Sequence, residues 1–217
     1  MKEFHFYTEN GIVRSAGRRA NNLQSLLEGI KQVSGSSIFY HMHHAILRRH
    51  IIPSDTLNDF ARWTWFNLGE QRLAEQLAIV DPMECVSVRQ ARDKVAETVS
   101  AFASKEPLLR KVAREKEFCF LELQSFVLPT KLVARNLQEF YLCLQEAGPG
   151  SIFYHLIEAR IRLGKQGSDF SKWLAEDLRE HGLAAKIDSL SPYVYNLWDL
   201  KQEILKLISE REAVIQG

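Results

Sequence analysis

The pentapeptide Ser37-Ile38-Phe39-Tyr40-His41 occurs twice in this chain, returning as Ser151-Ile152-Phe153-Tyr154-His155, so that Ile38 reappears 114 residues later as Ile152. A fixed displacement is the signature of internal repetition, and it limits the fold more than any composition value does. The register extends backwards without a gap, setting Phe4 on Phe118, Phe6 on Phe120, Ala20 on Ala134 and Asn22-Leu23-Gln24 on Asn136-Leu137-Gln138. Forwards, Arg48 meets Arg162. Beyond a loop four residues shorter in the second half, the displacement becomes 110 and pairs Asp59-Phe60 with Asp169-Phe170 and Trp63 with Trp173. Read this way, the chain is a tandem duplication with copies at residues 1–113 and 114–217, joined in one compact unit.

Each copy opens on phenylalanines at alternate positions, Phe4/Phe6 and Phe118/Phe120, which places them on one face of a short strand. Helical spacing follows. Leu23, Leu26, Leu27 and Ile30, like Leu137, Phe140, Tyr141 and Leu144, fall at i, i+3, i+4, i+7. Gly148-Pro149-Gly150 stops the second of these helices, and Asp59 and Asp169 suit the N-cap or first turn of the next. Pro82 and Pro192 break the chain before the closing helices, and the charged, Gly-poor segment 104–117 is expected to extend a helix between the copies. The fold expected is therefore predominantly α (α+β), a pseudo-twofold tandem duplication with one short strand and several helices per copy.

With Lys+Arg 28 against Asp+Glu 27, the formal charge is +1, too small an overall field to hold a polyanion, so nucleic acid is not an expected partner. Local pairs such as Arg18-Arg19, Arg48-Arg49 and Arg110-Lys111 are read as solvated faces. The N-terminus carries no apolar leader and no stretch approaches the roughly 18 apolar residues of a membrane span, which points to a cytoplasmic protein without a membrane partner. Cys85, Cys119 and Cys143 lie far apart without C-x-x-C spacing and read as reduced, mostly buried thiols.

The run 36–49 packs His41, His43 and His44 into four positions. On an α-helix, Ile38, Met42 and Ala45 form the apolar stripe, and His41 sits at its edge. Tyr40, His44 and Arg48 continue around the same side, while His43 points elsewhere. The second copy repeats this stripe as Tyr154, His155, Glu158 and Arg162. Three chemistries are consistent with it. An edge-of-core imidazole can simply satisfy its own burial. A Tyr-His-Arg group can bind an anion, with Asp59 or Asp169 orienting the imidazole and its other nitrogen facing Arg48 or Arg162. His/His or His/Glu at i, i+3 can hold a metal, although four ligands would require a pseudo-twofold axis that brings the copies together.

The elements Ile38-Phe39-Tyr40-His41 and Asn58-Asp59-Phe60-Ala61-Arg62-Trp63 resemble an uncharacterised, mainly bacterial family of unknown function, whose pattern is Ile-Phe/Tyr-Tyr-His followed by Asn-Asp-Phe-Ala-x-Trp. The resemblance covers most of the chain, with the second half departing to Ser168-Asp169-Phe170-Ser171-Lys172-Trp173. Such families are sometimes encoded near carbohydrate-active enzymes, which hints at sugar-related biology. The resemblance assigns no residue a role.

No Ser-His-Asp order, glycine-rich phosphate loop, H-E-x-x-H or Cys/His zinc spacing is present, so an enzyme has no motif of its own and no cofactor is expected. The function expected is a binding or interaction module for a small anionic or sugar-like ligand. The alternative is a metal- or His-dependent enzyme acting on a small phosphorylated or sugar-like substrate. Trp65 and Phe66, where the second copy has Ala175 and Glu176, are expected to line a surface for a homodimer or protein partner.

Overall fold

A computed structural model describes residues 2–43, 58–104, 110–162, 167–191 and 195–216. Two strands, β1 (Phe4–Ala20) and β2 (Phe118–Ala134), form a two-stranded antiparallel sheet. The opposed sense is visible in side-chain contacts: Thr130 Oγ1 donates to the Phe6 carbonyl at 2.7 Å, while Arg14 Nε donates to Glu122 Oε1 at 2.8 Å. Around the strands, the described residues form ten helices. None of them is long and apolar enough to cross a membrane.

The expected architecture needs correction. Phenylalanine alternation marked only a short strand at the head of each of two consecutive, pseudo-twofold copies. Instead each strand runs for 17 residues, and the compact units are not consecutive stretches of chain. One unit comprises Met1–Asn10 with Ser125–Gly217, and the other comprises Gly11–Gln124, so each takes part of both strands. The strands outrun their apolar alternation because ladder pairing requires a neighbouring backbone and not burial. Residues 10–15 and 124–129 are exposed on both faces, which leaves no hydrophobic period to read. The segment before β2 also differs from the expected helix: residues 110–113 are non-helical, with Val112 N–H donating to the Asn21 carbonyl at 2.8 Å, and a single 3-10 turn follows at Arg114–Lys116.

In the unit 11–124, α1 (Leu23–Gln32) is held at its start by Asn22, whose side chain accepts from Ser25 N–H in a reciprocal capping box. Its buried face meets Phe120 so closely that a Cβ on Gly29 would lie 2.3 Å from the ring. Helix α2 (Gly35–Met42) is capped by Ser34. Helix α3 (Asp59–Trp63), capped by Asn58, widens into a π-helical turn (Thr64–Leu68) that ends on Gly69 at φ 76°. Helices α4 (Gln71–Ala78) and α5 (Val88–Ala103) complete this unit.

The unit 1–10/125–217 contains α6 (Leu137–Glu146), capped by Asn136. Helix α7 begins as Pro149–Ile152, widens into π-helical Phe153–Glu158 and closes as Ala159–Arg162. Then follow α8 (Asp169–Glu176), α9 (His181–Asp188) and the long α10 (Leu197–Gln216). Phe4, Phe6, Phe140, Phe170 and Trp173 form its aromatic centre, with ring centroids 4.9–5.9 Å apart. Of the cysteines, all free, Cys85 is buried, Cys143 half-buried and Cys119 exposed, so burial is not general among them.

Candidate functional site

His155 lies in the π-helical turn of α7 and is only 3% exposed, walled by Phe4 (4.9 Å between centroids) and Phe170 (5.4 Å). Both ring nitrogens are engaged. Nδ1 is 2.9 Å from Asp169 Oδ2, and the backbone N–H of Tyr7 in β1 donates to Nε2 at 2.8 Å. Because an amide N–H can only donate, Nε2 must carry a lone pair and Nδ1 the proton, which it gives to the carboxylate. The imidazole is thus a neutral bridge between a strand backbone and the first turn of α8.

His41 makes the same pair of bonds in the other unit. Its Nδ1 is 2.8 Å from Asp59 Oδ2, Leu121 N–H donates to Nε2 at 2.9 Å, and the residue is 2% exposed. Tyr40 is buried, its ring edge-on to the His41 ring at 5.1 Å. The structure therefore brings together Tyr40, His41 and Asp59, and separately Tyr154, His155, Arg162 and Asp169. His44 and Arg48 lie outside the described residues. The second imidazole nitrogen, expected to face an arginine, faces a strand N–H in both places.

Asp169 collects the remaining chemistry. Besides His155 it accepts Arg162 Nη2 at 2.8 Å on Oδ2, with Nη1 3.5 Å from Oδ1. Burial works to raise its pKa, but hydrogen bonds from His155 and Arg162 and the Arg162 charge outweigh that and hold the carboxyl below its usual range. Its place in the first turn of α8 adds the favourable helix-end field. The Arg162 guanidinium lies over the Tyr154 ring at 4.7 Å, a cation–π contact that fixes its plane. Burial raises the Tyr154 pKa against the opposing Arg162 charge, so the phenol remains a hydroxyl.

These groups border an open depression of about 380 Å³, also lined by Lys2, Tyr7, Lys172 and Glu176. Asp169 uses one edge of the guanidinium. The other Arg162 N–H groups have no protein acceptor among the described residues. A larger hollow of about 550 Å³, lined by Arg179, His181, Leu183, Lys186, Leu207 and Glu210, lies apart from this chemistry. Arg211 at its rim is tied to Glu180 by two bonds of 2.8 and 3.1 Å, and none of the site residues expected from the sequence lines it. The smaller depression is therefore the candidate site.

Metal ligation through His155 or His41 would require breaking the bond to the strand, since each Nε2 lone pair is already used. Among the described residues no group of three or more His, Cys, Asp and Glu side chains converges as a metal site. Glu158, half-buried, lies near Arg162 and Tyr154 but also beside Glu9, a buried strand residue that no sequence pattern singled out. Tyr7 was equally silent, because it contributes a backbone N–H. The third histidine, His43, is fully buried and stacked on Phe39 at 5.1 Å, its Nε2 3.3 Å from the Pro82 carbonyl and its Nδ1 without a partner. Trp65 and Phe66 occupy the π-helical turn after α3, 37% and 70% exposed.

Comparison with known proteins places this geometry in a wider set. The solved structure titled "The structure of OrfY from Thermoproteus tenax" is similar, with a TM-score of 0.80 and 29% sequence identity over 96% of this chain and 95% of that one. No curated protein matches. The model of the Family of unknown function (DUF5752) matches residues 1–209, nearly the whole length, and the chain belongs to that family.

Proposed function

We propose that this protein is a binding module that takes a small anionic or sugar-like ligand in the depression bordered by Tyr154, Arg162 and Lys172. The observation that carries this reading is Arg162, whose guanidinium is oriented on one edge by Asp169 and on one face by Tyr154 while its other donors face no protein acceptor among the described residues. A planar donor group immobilised before binding loses little conformational freedom on meeting a carboxylate, phosphate or vicinal diol. His155 serves this site indirectly, by holding Asp169. The surrounding charges are mixed, with Lys2 and Lys172 set against Glu3, Glu176 and Asp177, which suits a polar body carrying one anionic group better than a polyanion. Thermal denaturation with inorganic phosphate, a hexose phosphate and a neutral disaccharide tests this, since a ligand that binds only the folded state raises its stability by mass action. The hexose phosphate is expected to raise the melting temperature of the wild type and not that of Arg162→Ala. No shift with any of the three, or an undiminished shift in Arg162→Ala, removes the reading.

A second reading, association with another copy or a protein partner, is favoured by the exposure of Trp65 and Phe66 on consecutive positions of one π-helical turn.

A further inference from the structure

Glu9 is the acidic side chain that the fold treats least like a charge. It is only 8% exposed, and both carboxyl oxygens are sealed from solvent without a hydrogen-bond donor of acceptable geometry. The backbone beside it is pressed against the start of α7, where a Cβ on Gly150 would sit 2.5 Å from the Glu9 carbonyl and 2.6 Å from Thr8 Oγ1. The groups that act on the carboxyl are few: the Glu158 carboxyl from α7 and the Ser125 hydroxyl from β2. Two carboxylates repel and neither can donate to the other. If one of them carries a proton, the same geometry becomes a carboxyl–carboxylate hydrogen bond and one of the orphaned oxygens gains a partner.

The placement of the proton follows from the surroundings. Glu158 is half-buried and lies beside the Arg162 charge, with Tyr154 as the other titratable neighbour. Glu9 has no cation among the groups acting on it. We propose that Glu9 is a carboxylic acid at neutral pH, donating to the Glu158 carboxylate, and that this one-proton pair is a latch that ties β1 to α7 and weakens as the pH rises. Burial first, then the hydrogen bond and charge of Glu158, push the Glu9 carboxyl up to about 8, against a smaller opposing effect of Ser125. This inference is independent of the ligand reading.

The sign of the linkage fixes the test. A carboxyl whose pKa is raised on folding binds its proton more tightly in the native state, so its stabilisation is complete below the unfolded value of 4.5. It is lost as pH rises towards the folded value of about 8. Glu9→Gln keeps a donor and removes the titration. The melting temperature of Glu9→Gln minus that of the wild type should therefore climb by several degrees between about pH 5 and pH 8 and stay level above. Infrared spectroscopy of the full chain at pH 7 should show a protonated-carboxyl carbonyl band that is absent in Glu9→Gln and disappears from the wild type as pH passes about 8. If Glu9→Gln fails to fold, Glu158→Gln supplies a second readout: with the neighbouring charge removed and burial alone holding the proton, the carboxyl band should disappear at a lower pH than in the wild type, and an unmoved midpoint overturns the pairing. Absence of the band from the wild type at pH 7, or a pH-independent melting difference, overturns the proposal. So does stabilisation of the wild type by Mn²⁺ or Ca²⁺ at pH 7 that Glu9→Gln abolishes, which would make the pair a cation site.

Discussion

The amide of Tyr7 donates to Nε2 of His155 across 2.8 Å, and this one bond decides what the histidine can do. With that lone pair occupied and the Nδ1 proton held by Asp169, the ring joins strand to helix as a structural bridge. Ligand chemistry passes to Arg162, which shares the same carboxylate.

Replacing His155 by alanine should cost about 2–4 kcal/mol of unfolding free energy, because it opens a cavity among aromatic rings and orphans the Tyr7 N–H and part of Asp169. Urea denaturation followed by tryptophan fluorescence measures this. A loss under about 0.5 kcal/mol, the size of an ordinary surface substitution, would mean the bridge contributes little.

Among the described residues Arg179 is the non-glycine residue at positive φ, 61°, in the turn that leads from α8 to α9, where the Glu180 N–H donates back to the Leu174 carbonyl at 2.9 Å. The turn after α3 uses Gly69 at 76°, where an added Cβ would meet Arg110 at 2.7 Å. Arg179→Gly should therefore stabilise the protein by up to about 1 kcal/mol, and Gly69→Ala should destabilise it. Equal effects of the same sign would contradict this assignment.

His43 predicts acid sensitivity. Burial first lowers its pKa from 6.5 to about 4, only partly offset by the Pro82 carbonyl and the Asp81 charge. The unfolded chain then binds the proton more readily, so the stability His43 contributes is intact above pH 6.5 and declines as pH falls towards about 4. The loss amounts to about 3 kcal/mol over that window, and His43→Phe, which can still stack on Phe39, should flatten the profile. An unchanged slope in that variant would assign the acid sensitivity elsewhere.

Changing Trp65 and Phe66 to Ala and Glu should abolish any concentration-dependent self-association in sedimentation velocity while leaving the melting temperature within a few degrees, because both side chains extend into solvent. A large loss of stability with association intact would show that they support the fold.

What could be read in the sequence follows from which interactions leave a periodic trace. Phe4 and Phe6 lie on the buried face where β1 begins, and Asp59 and Asp169 enter the first turns of their helices. Each relies on side-chain type at fixed spacing. The long strand centres carry no such trace, because Ile12, Val13, Phe126, Val127 and Leu128 are exposed on successive positions. A helical wheel of 100° per residue also misplaces Tyr154 through Glu158, since that stretch is π-helical and its side chains turn by a different step. The strand partner of each buried imidazole was invisible for another reason: a backbone N–H belongs to every residue but proline. Glu9 resembles any polar strand residue, and only three-dimensional packing reveals its burial.

The central claim is that His155 and His41 are neutral bridges with the proton on Nδ1, and long-range ¹H–¹⁵N correlation spectroscopy of uniformly labelled protein tests it directly. Both rings should show an unprotonated, hydrogen-bond-accepting Nε2 and a protonated Nδ1, unchanged when Zn²⁺ or a hexose phosphate is added. A proton on Nε2 of either ring, or a Zn²⁺-induced shift of that nitrogen, would contradict the account and return the histidines to the role of ligands.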